Sequence, residues 1–347
     1  MGRAGTHVPA DRWGHLSWGV TSVDTELNVH SISTPAYLLN APFSLSAEIV
    51  NNAWMGDMSE AERRVDRSRA FDQFMALYRA ISETAVVYLL PSWPGLQDQP
   101  YVANLGVVLP GGPRPTVVIS RFRSEPRRGE AEVGRRFFEL MRFEVAVPPV
   151  FPGAREESGE EIFFEGEADL KYLCDNVFVG AHGIRTSRSA HRWFADTFGI
   201  KVIPLELPNE RQYHLDCCVL PLSPRAAMVC TAGIDRATVS EIGRHVEIVD
   251  VPGDAGMHGA TNCLLCGGKL LYMTNIDELS RTHEHYAAEK AKIDYLETLC
   301  GRISVEPRSI DLSEFAKSGA DLSCMVMHLN YAGHLRSAIE KPVSSAP

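Results

Sequence analysis

The chain has 347 residues, of which 45% are hydrophobic and 22% are charged, a composition typical of a folded globular protein. Its 34 Lys and Arg against 44 Asp and Glu give a net charge of −10. The sequence contains no basic stretch interleaved with aromatic residues, so we do not expect nucleic acid as a partner. The apolar runs are too short to cross a bilayer, and no apolar signal core is visible near the first residues. We therefore expect a cytoplasmic protein without membrane contact.

The predicted elements form a pattern that repeats along the chain. An amphipathic helix over 59–83, opened by a Ser59/Glu62 capping box, is followed by a buried strand at 85–91. A longer unit then occurs four times: a motif-bearing strand, a Gly or Pro turn, a second strand, a helix and a third strand. The four units begin at YVANLGVVL, FFEGEADLKYL, YHLDCCVLPL and GATNCLLC, and their helices are predicted over 128–142, 186–198, 235–244 and 280–299.

The two ends of the chain supply the parts of a fifth unit. SGADLSCMVMHL near the C-terminus is a motif strand with no second strand after it, whereas TPAYLLN, the first helix and VVYLLP near the N-terminus lack a motif strand. The sequence therefore predicts an α/β fold in which five ββαβ units close into a ring. We expect one domain over 34–335, closed by both chain ends, with an N-terminal extension at 1–33 and a C-terminal tail at 336–347.

Unusual polar residues occur in each unit at the start of its first strand: Asn104, then Glu165 and Asp169, then His214 and Asp216, then Asn262 and finally Cys324. Strand alternation places His214 and Asp216 on one face, and five strand starts around a common axis would bring all these side chains to one pocket. Cysteine, histidine and carboxylates together are the groups that covalent catalysis requires. Taken singly, each also fits a structural role: a buried strand cysteine, a packed histidine or a turn cap at Asp169.

Eight stretches, spread over residues 34–330, occur in the order of a known family: NNAWM, YVANLGVVLP, SRFRSEPRRGE, FFEGEADL, GIRTS, YHLD, ATNCLL and EFAKSGADLSCMVMHL. With these stretches the chain resembles the pentein, or guanidine-modifying, superfamily. It is most similar to the dimethylarginine dimethylaminohydrolase-like and arginine dihydrolase-like members. The resemblance implies a five-bladed α/β propeller with a central active site. The chain departs from the family pattern at Ala53, Ala168 and Ala320, none of which removes a catalytic group.

The resemblance also implies roles for individual residues. Cys324 would be the nucleophile, His214 the general acid and base, and Glu165 the acid that completes the triad. The residues implied to bind substrate are Asp169 and Asp216 beside the guanidinium, Asn104 at its nitrogens, Asn52 and Asn262 at the pocket, and Arg185 at a substrate carboxylate. For Arg185, a surface position at the N-terminus of a helix fits the sequence equally well.

The chemistry of the guanidino group explains this set of residues. A guanidinium carbon is a poor electrophile, because its positive charge is delocalised over three nitrogens. A cysteine thiolate is a strong nucleophile, and carboxylates hold the cation through charge-assisted hydrogen bonds. Attack by Cys324 and protonation of the departing amine by His214 would leave an amidino-thioether, a thiouronium, which water then hydrolyses. Carboxylates near Cys324 raise its thiol pKa, so we expect the bound guanidinium to activate it.

The expected activity is hydrolysis of a C–N bond in a small guanidino substrate, arginine or an N-substituted arginine. An amidinotransferase, which passes the amidino group from arginine to an amine acceptor, is the alternative enzyme, and a non-catalytic binding protein is the third interpretation. Asn104 is typical of dihydrolase-like members, and an amide can hold a ureido group as well as a guanidinium. We expect no cofactor and no metal, since the eight cysteines lack the spacing of a zinc site, and the sequence leaves a homodimer open.

Overall fold

The computed structural model describes Val29, residues 32–111, 114–149 and 161–337, and Ile339. Within these residues the strands form five sheets of three strands each. In each sheet the middle strand pairs antiparallel with one neighbour and parallel with the other. A parallel pair needs a crossover connection, and a helix supplies it in every sheet.

The strands of each sheet are given in spatial order: first the antiparallel neighbour, then the middle strand, then the parallel neighbour. The first sheet contains Met327–His328, Ala36–Leu39 and Val86–Leu89, and the second contains Gly106–Leu109, Thr116–Ile119 and Glu144–Ala146. The third contains Leu170–Cys174, Val177–His182 and Lys201–Glu206, and the fourth contains Val219–Ser223, Ala226–Val229 and Glu247–Asp250. The fifth contains Leu264–Cys266, Lys269–Met273 and Glu306–Ile310.

The crossover helices, from the first sheet to the fifth, are Arg67–Ser82, Glu130–Leu140, Arg188–Phe198, Arg236–Ile242 and Tyr286–Ile303. Four short helices lie in connections, at Ala53–Asp57, Gly253–Met257, Ser313–Ala316 and Ala332–Leu335. Among the described helices, none is long and apolar enough to cross a membrane. The predicted extension at 1–33 and tail at 336–347 lie largely outside the described residues.

Two predicted helix starts are wrong. The helix expected over 59–83 begins only at Arg67, because the carboxylate of Asp66 caps it by accepting from the backbone N–H of Arg69 at 3.1 Å. Ser59 and Glu62 do bond each other, with Ser59 N donating to Glu62 Oε2 at 2.7 Å, but they close a separate turn. The helix expected from 280 begins at Tyr286.

The first sheet is built from both ends of the described chain. Tyr37 pairs with His328 and Leu38 pairs with Met327, so a strand near the N-terminus lies beside one near the C-terminus. A turn that carries Cys324 leads directly into the antiparallel edge strand of this sheet.

Five clusters of buried apolar side chains join the sheets in pairs. Adjacent residues of a strand point to opposite faces of its sheet, so one strand contributes to two clusters: Leu38 belongs to one and Leu39 to another. One cluster joins the first sheet to the second through Leu38 and Val108, and another joins the second sheet to the third through Val118 and Leu170. The third sheet is joined to the fourth through Val179 and Val219, and the fourth to the fifth through Met228 and Leu270. The last cluster joins the fifth sheet back to the first through Leu271 and Leu39. Each sheet therefore packs against two others.

Candidate active site

The polar residues predicted at strand starts lie in short turns that precede the strands. Single turns of 3-10 helix at Val102–Asn104, Gly166–Ala168, Leu215–Cys217 and Ser323–Met325 are each separated by a single residue from the first strand of a sheet. The alternation expected for His214 and Asp216 is therefore wrong: His214 is extended just before its turn, and Asp216 lies inside it. Equivalent positions recur from one turn to another. Glu165 and His214 each come directly before a turn, and Asp216 and Cys324 are each the middle residue of a turn.

A small cavity lies where these turns meet. Five of the residues predicted for the site line it: Asn52, Asn104, Arg185, His214 and Cys324. The remaining predicted residues contact this set from behind, apart from Asp169. The space in it that the centres of water molecules can occupy is about 20 Å³, enough for one or two waters.

His214 and Glu165 form a buried pair at one side of the cavity. Nε2 of His214 lies 3.0 Å from Oε2 of Glu165 and 3.1 Å from Nδ2 of Asn104. A carboxylate only accepts, so the imidazole presents an N–H to Glu165. Burial alone would raise the pKa of Glu165, but the Arg185 guanidinium and then His214 hold it well below its ordinary value. Glu165 is therefore an anion that orients the imidazole.

Cys324 lies at the other side of the cavity, beside a second carboxylate. Its Sγ is 3.2 Å from Oδ2 of Asp216 and 3.5 Å from Nδ2 of Asn262. Burial, and then the negative charge of Asp216, raise the pKa of the Cys324 thiol well above its ordinary value. Both effects favour the protonated form of the thiol. No hydrogen bond joins Cys324 to His214 directly within the described part of the chain.

Asn262 and Asn52 fix the backbone around Cys324. Oδ1 of Asn262 accepts from the N–H and the hydroxyl of Ser323, at 2.9 and 2.8 Å. Nδ2 of Asn52 donates to the carbonyl of Ser318 at 2.9 Å, while its Oδ1 caps the helix Ala53–Asp57. Gly319 has φ +72° and packs so closely that a Cβ would lie 2.6 Å from Oδ1 of Asn52. The two amides thus hold the loop that presents the thiol.

Asp169, predicted beside the substrate, does not line the cavity. Its Oδ2 accepts from the hydroxyl of Thr186 at 2.6 Å, and its Oδ1 accepts from the N–H of Leu215 at 3.2 Å. Burial raises the pKa of Asp169 to about 7, although the charge of His214 opposes this. Because Leu215 follows His214 directly, we reassign Asp169 as a positioning residue for the histidine.

We expect Asp169→Asn to lower kcat about tenfold and to leave KM unchanged, the effect of one misplaced hydrogen bond behind a catalytic group. An amide would turn an N–H₂ toward a hydroxyl that already needs an acceptor. Thr186→Val removes the contact with Asp169 and also the acceptor of the Glu165 N–H at 3.1 Å, so its kcat should fall at least as far in steady-state kinetics. A rise in KM with kcat preserved would instead restore Asp169 to the substrate.

Arg185 is buried, with only 7% of its surface exposed, so its alternative placement on the surface is wrong. One Nη donates to the carbonyl of Asn51 at 2.6 Å and the other lies 3.4 Å from Oε2 of Glu165. The guanidinium also lies over the ring of Tyr213, 5.2 Å from its centroid. It is therefore a fixed positive charge at the wall of the cavity.

The sequence interpretation missed two charged residues that line the cavity, Asp98 and Arg127. Arg127 is held by both oxygens of Glu130, at 3.0 and 2.8 Å, and Asp98 accepts from Nδ2 of Asn51 at 2.6 Å. The spacing of Arg127 and Glu130 in SEPRRGE, three residues apart, is a signal that could have found the arginine. Nothing in the sequence around Asp98 distinguishes it.

Within the described residues, no group of three or more His, Cys, Asp or Glu side chains is arranged to hold a metal ion. All eight cysteines are free thiols, and seven of them are buried. That the protein needs neither metal nor cofactor stays a prediction.

Residues 41–331 match the model of the eukaryotic N,N dimethylarginine dimethylhydrolase family. The chain belongs to this family. The match covers most of the chain and includes Cys324, His214 and Glu165. The predicted resemblance to guanidine-modifying enzymes is therefore confirmed.

Two relatives of the chain are informative. The chain is 23% identical to the N(G),N(G)-dimethylarginine dimethylaminohydrolase of Mycobacterium tuberculosis over 297 residues, 86% of each protein. It is 31% identical to the bifunctional arginine dihydrolase/ornithine cyclodeaminase AgrE of Nostoc over 189 residues. That second match spans 54% of this chain and only 24% of the Nostoc protein.

Solved structures share the fold of this family member. The N-terminal domain of ArgZ, a cyanobacterial arginine dihydrolase bound to product, matches with a TM-score of 0.71 and 24% identity over 85% of this chain and 97% of that domain. An adduct of a dimethylarginine dimethylaminohydrolase with S-methyl-L-thiocitrulline matches with a TM-score of 0.60 and 16% identity over 85% of this chain and 99% of that one. The predicted α/β class, built from small sheets, is thus confirmed.

Proposed function

We propose that the protein hydrolyses a C–N bond of a guanidino compound, arginine or an N-substituted arginine, through a covalent intermediate on Cys324. One observation carries the proposal: a single buried cavity holds a thiol beside one carboxylate and an imidazole beside another. The family and its relatives support the substrate class, and the ArgZ domain has also been crystallised with a covalently bound reaction intermediate.

The charges of the cavity suit both ends of an amino acid with a guanidino side chain. Asp216 supplies negative charge for the guanidinium, and Asn104 lies where its amide can bond the guanidinium nitrogens. Arg185 and Arg127 supply positive charge at the same cavity for the substrate carboxylate. A substrate held at both ends is fixed in orientation before any bond changes.

The reaction begins with the Cys324 thiol in its protonated form. A guanidinium bound next to Asp216 places positive charge near Sγ, which lowers the pKa of the thiol and favours loss of its proton. Sγ then attacks the guanidinium carbon, and the proton that the thiol gives up passes through His214 to the departing nitrogen as the C–N bond breaks. The amidino group stays on Sγ as a thioether. His214, held by Glu165, then takes a proton from water, and the hydroxide attacks the amidino carbon. The sulfur leaves as a thiolate, and the proton returns from His214 to Sγ, which restores the thiol.

Asn104 supports a dihydrolase rather than a hydrolase that stops after one step. Its amide lies 3.1 Å from Nε2 of His214, inside the reacting cavity. A neutral amide both donates and accepts, so it can bond a ureido product as well as a guanidinium. We propose that a first hydrolysis of arginine can be followed by a second, which releases two ammonia molecules and carbon dioxide in total.

We also propose that the five sheets close into one five-bladed propeller over residues 34–335. The five apolar clusters support this arrangement, because they join the sheets pairwise in a cycle that returns to the first sheet. The pairing of Leu38 with Met327, which joins the two ends of the described chain, supports it as well. A propeller places the turns before the five first strands around one axis.

Asp216→Asn is expected to speed alkylation of Cys324 by iodoacetamide and to weaken its protection by arginine. Removal of the carboxylate charge lowers the thiol pKa, so the rise of alkylation rate with pH moves to lower pH. The guanidinium loses a charge-assisted partner at the same time. Asp196→Asn, the same chemical change on an exposed helix position, is the control. Unchanged protection in Asp216→Asn would limit Asp216 to a structural role in its turn.

The proposed function is tested by mass spectrometry of the products from arginine, methylated arginines and other guanidino compounds, with and without an added amine acceptor. Ornithine with two ammonia molecules indicates the dihydrolase, and citrulline indicates a single hydrolysis. An amidino group found on the added amine would show that the reaction is amidino transfer and not hydrolysis. If none of these compounds gave a product while Cys324 was intact, that result would contradict an enzymatic role.

A further inference from the structure

Ser323 precedes Cys324 in the turn that carries the thiol, and the two side chains meet the same two residues. Sγ of Cys324 lies 3.2 Å from Oδ2 of Asp216 and 3.5 Å from Nδ2 of Asn262. Oγ of Ser323 lies 3.3 Å from that same Oδ2 and 2.8 Å from Oδ1 of Asn262. The hydroxyl and the thiol are therefore competing donors to one oxygen of Asp216.

The amide of Asn262 allows the hydroxyl of Ser323 to change partners. The backbone N–H of Ser323 can only donate, and it donates to Oδ1 of Asn262 at 2.9 Å. This bond keeps Nδ2 turned toward Sγ and gives Oδ1 a donor that does not depend on the hydroxyl. A hydroxyl has one proton, so Ser323 donates to Asn262 or to Asp216 at a given moment. The shorter distance favours Asn262 while the thiol is protonated.

Asp216 loses a donor when the thiol reacts. This residue is fully buried, and its carboxylate accepts from the thiols of Cys217 and Cys324 and from the hydroxyl of Ser323. Loss of the proton from Cys324 removes one of these bonds and leaves a thiolate beside the carboxylate. A thiol is a weak donor, so Ser323 is the strongest of these three donors to Asp216. Its hydroxyl is the group that can compensate for the lost bond.

We propose that Ser323 is a positioning residue for the nucleophile: when Cys324 loses its proton, the hydroxyl of Ser323 turns from Asn262 to Asp216 and replaces the thiol as donor to Oδ2. The proton of Ser323 stays on Oγ throughout. A hydrogen bond to the carboxylate stabilises its charge and so reduces its repulsion of the thiolate. This role rests on the proposed function of Cys324 as the nucleophile, but it concerns the ionisation of the thiol itself.

Several other titratable groups surround the thiol and Asp216. Those on the neighbouring elements are Tyr101, Tyr213, Cys217, Asp98, Asp321 and His214. Burial raises the pKa of Tyr101, Tyr213 and Cys217, so these three groups stay neutral up to about pH 10. Burial also raises the pKa of Asp321 to about 7, so this carboxyl is ionised above about pH 8. A comparison of variants between these limits isolates the effect of the hydroxyl, because all the surrounding groups are shared.

Alkylation of Cys324 by iodoacetamide, followed by mass spectrometry of its peptide, tests the proposal. While a thiol is mostly protonated, its alkylation rate follows the fraction present as thiolate. We expect Ser323→Ala to slow alkylation about tenfold across this pH range, because the pKa of the thiol rises when Asp216 loses its hydroxyl donor. Ser323→Thr keeps the hydroxyl and should react like the parent. Ser313→Ala, which removes a buried hydroxyl that accepts from Gln73, is the control.

The same change made in Asp216→Asn shows how the hydroxyl acts. If Ser323 acts through the carboxylate, adding Ser323→Ala to Asp216→Asn should change the alkylation rate by less than about twofold. Equal slowing in both backgrounds would mean that Ser323 acts through Asn262 or through access to the thiol, and it would overturn the proposal. A parental alkylation rate in Ser323→Ala would overturn it as well.

Ser323→Thr and Ser323→Val differ by a methyl group in place of the hydroxyl, and this pair replaces Ser323→Ala if that variant does not fold. Ser323 lines a second cavity together with Leu264 and Val326, which gives the added methyl group space. Equal alkylation rates in the two variants would contradict the proposal. None of these rates depends on turnover, so a failure here is distinct from a failure of the proposed hydrolysis, which the product analysis detects.

Discussion

Cys324→Ser is expected to lower turnover of every guanidino substrate by a factor on the order of 10³ or more while the protein stays folded. A thiol loses its proton once a guanidinium lies next to Asp216, whereas a serine hydroxyl in the same place has no accessible anion. Release of ammonia measures turnover, and circular dichroism with thermal unfolding measures the fold.

Cys174→Ser is the matched control, because Cys174 is a buried thiol at the end of a strand outside the catalytic cavity. Its turnover should equal that of the parent. If Cys324→Ser kept its activity with an unchanged circular dichroism spectrum, the nucleophile would lie elsewhere in the chain.

The second large effect is expected at His214. His214→Ala should lower kcat by roughly 10²–10⁴-fold, because no other group then protonates the departing nitrogen or activates water. Added imidazole should restore part of the activity, which a purely structural histidine would not show. Parental kcat in this variant would remove His214 from the mechanism.

Glu165→Gln serves as the companion variant. The amide keeps the size of Glu165 and a possible acceptor for Nε2, but it removes the negative charge that stabilises the protonated imidazole. Its kcat should therefore lie between that of the parent and that of His214→Ala. A loss as large as that of His214→Ala would mean that the charge, rather than the orientation of the ring, dominates the contribution of Glu165.

The strand pattern of the fold could be predicted because it depends on local signals. Apolar runs bounded by Gly or Pro, such as VVLPGG and VFVGAHG, indicate the strands and their turns. Helix starts are harder to predict, since Asp66 and Ser59 are both good N-caps and only packing selects Asp66. The 3-10 turns before the first strands escape prediction, because one turn of helix has no periodicity to detect.

The residues of the candidate site also divide into those that the sequence could predict and those that it could not. Cys324, His214 and Glu165 stand in short motifs, so the resemblance singled them out. The structure places Cys324 and His214 at one cavity, with Glu165 behind His214. Asp98 reaches the cavity on a loop that no local motif marks, whereas Arg127 could have been found only from its i, i+3 spacing to Glu130. Asp169 shows the converse: its motif is clear, but its oxygens are taken by Thr186 and Leu215 rather than by the cavity.

Capture of the covalent intermediate tests the central claim most directly. The parent enzyme would be mixed with arginine labelled with ¹³C at the guanidino carbon, quenched in acid during turnover, digested and analysed by mass spectrometry, with Cys324→Ser as the control. The mechanism predicts a labelled amidino group on the peptide that contains Cys324, and none in the control. Label on a different cysteine, or turnover with no labelled peptide at all, would contradict it.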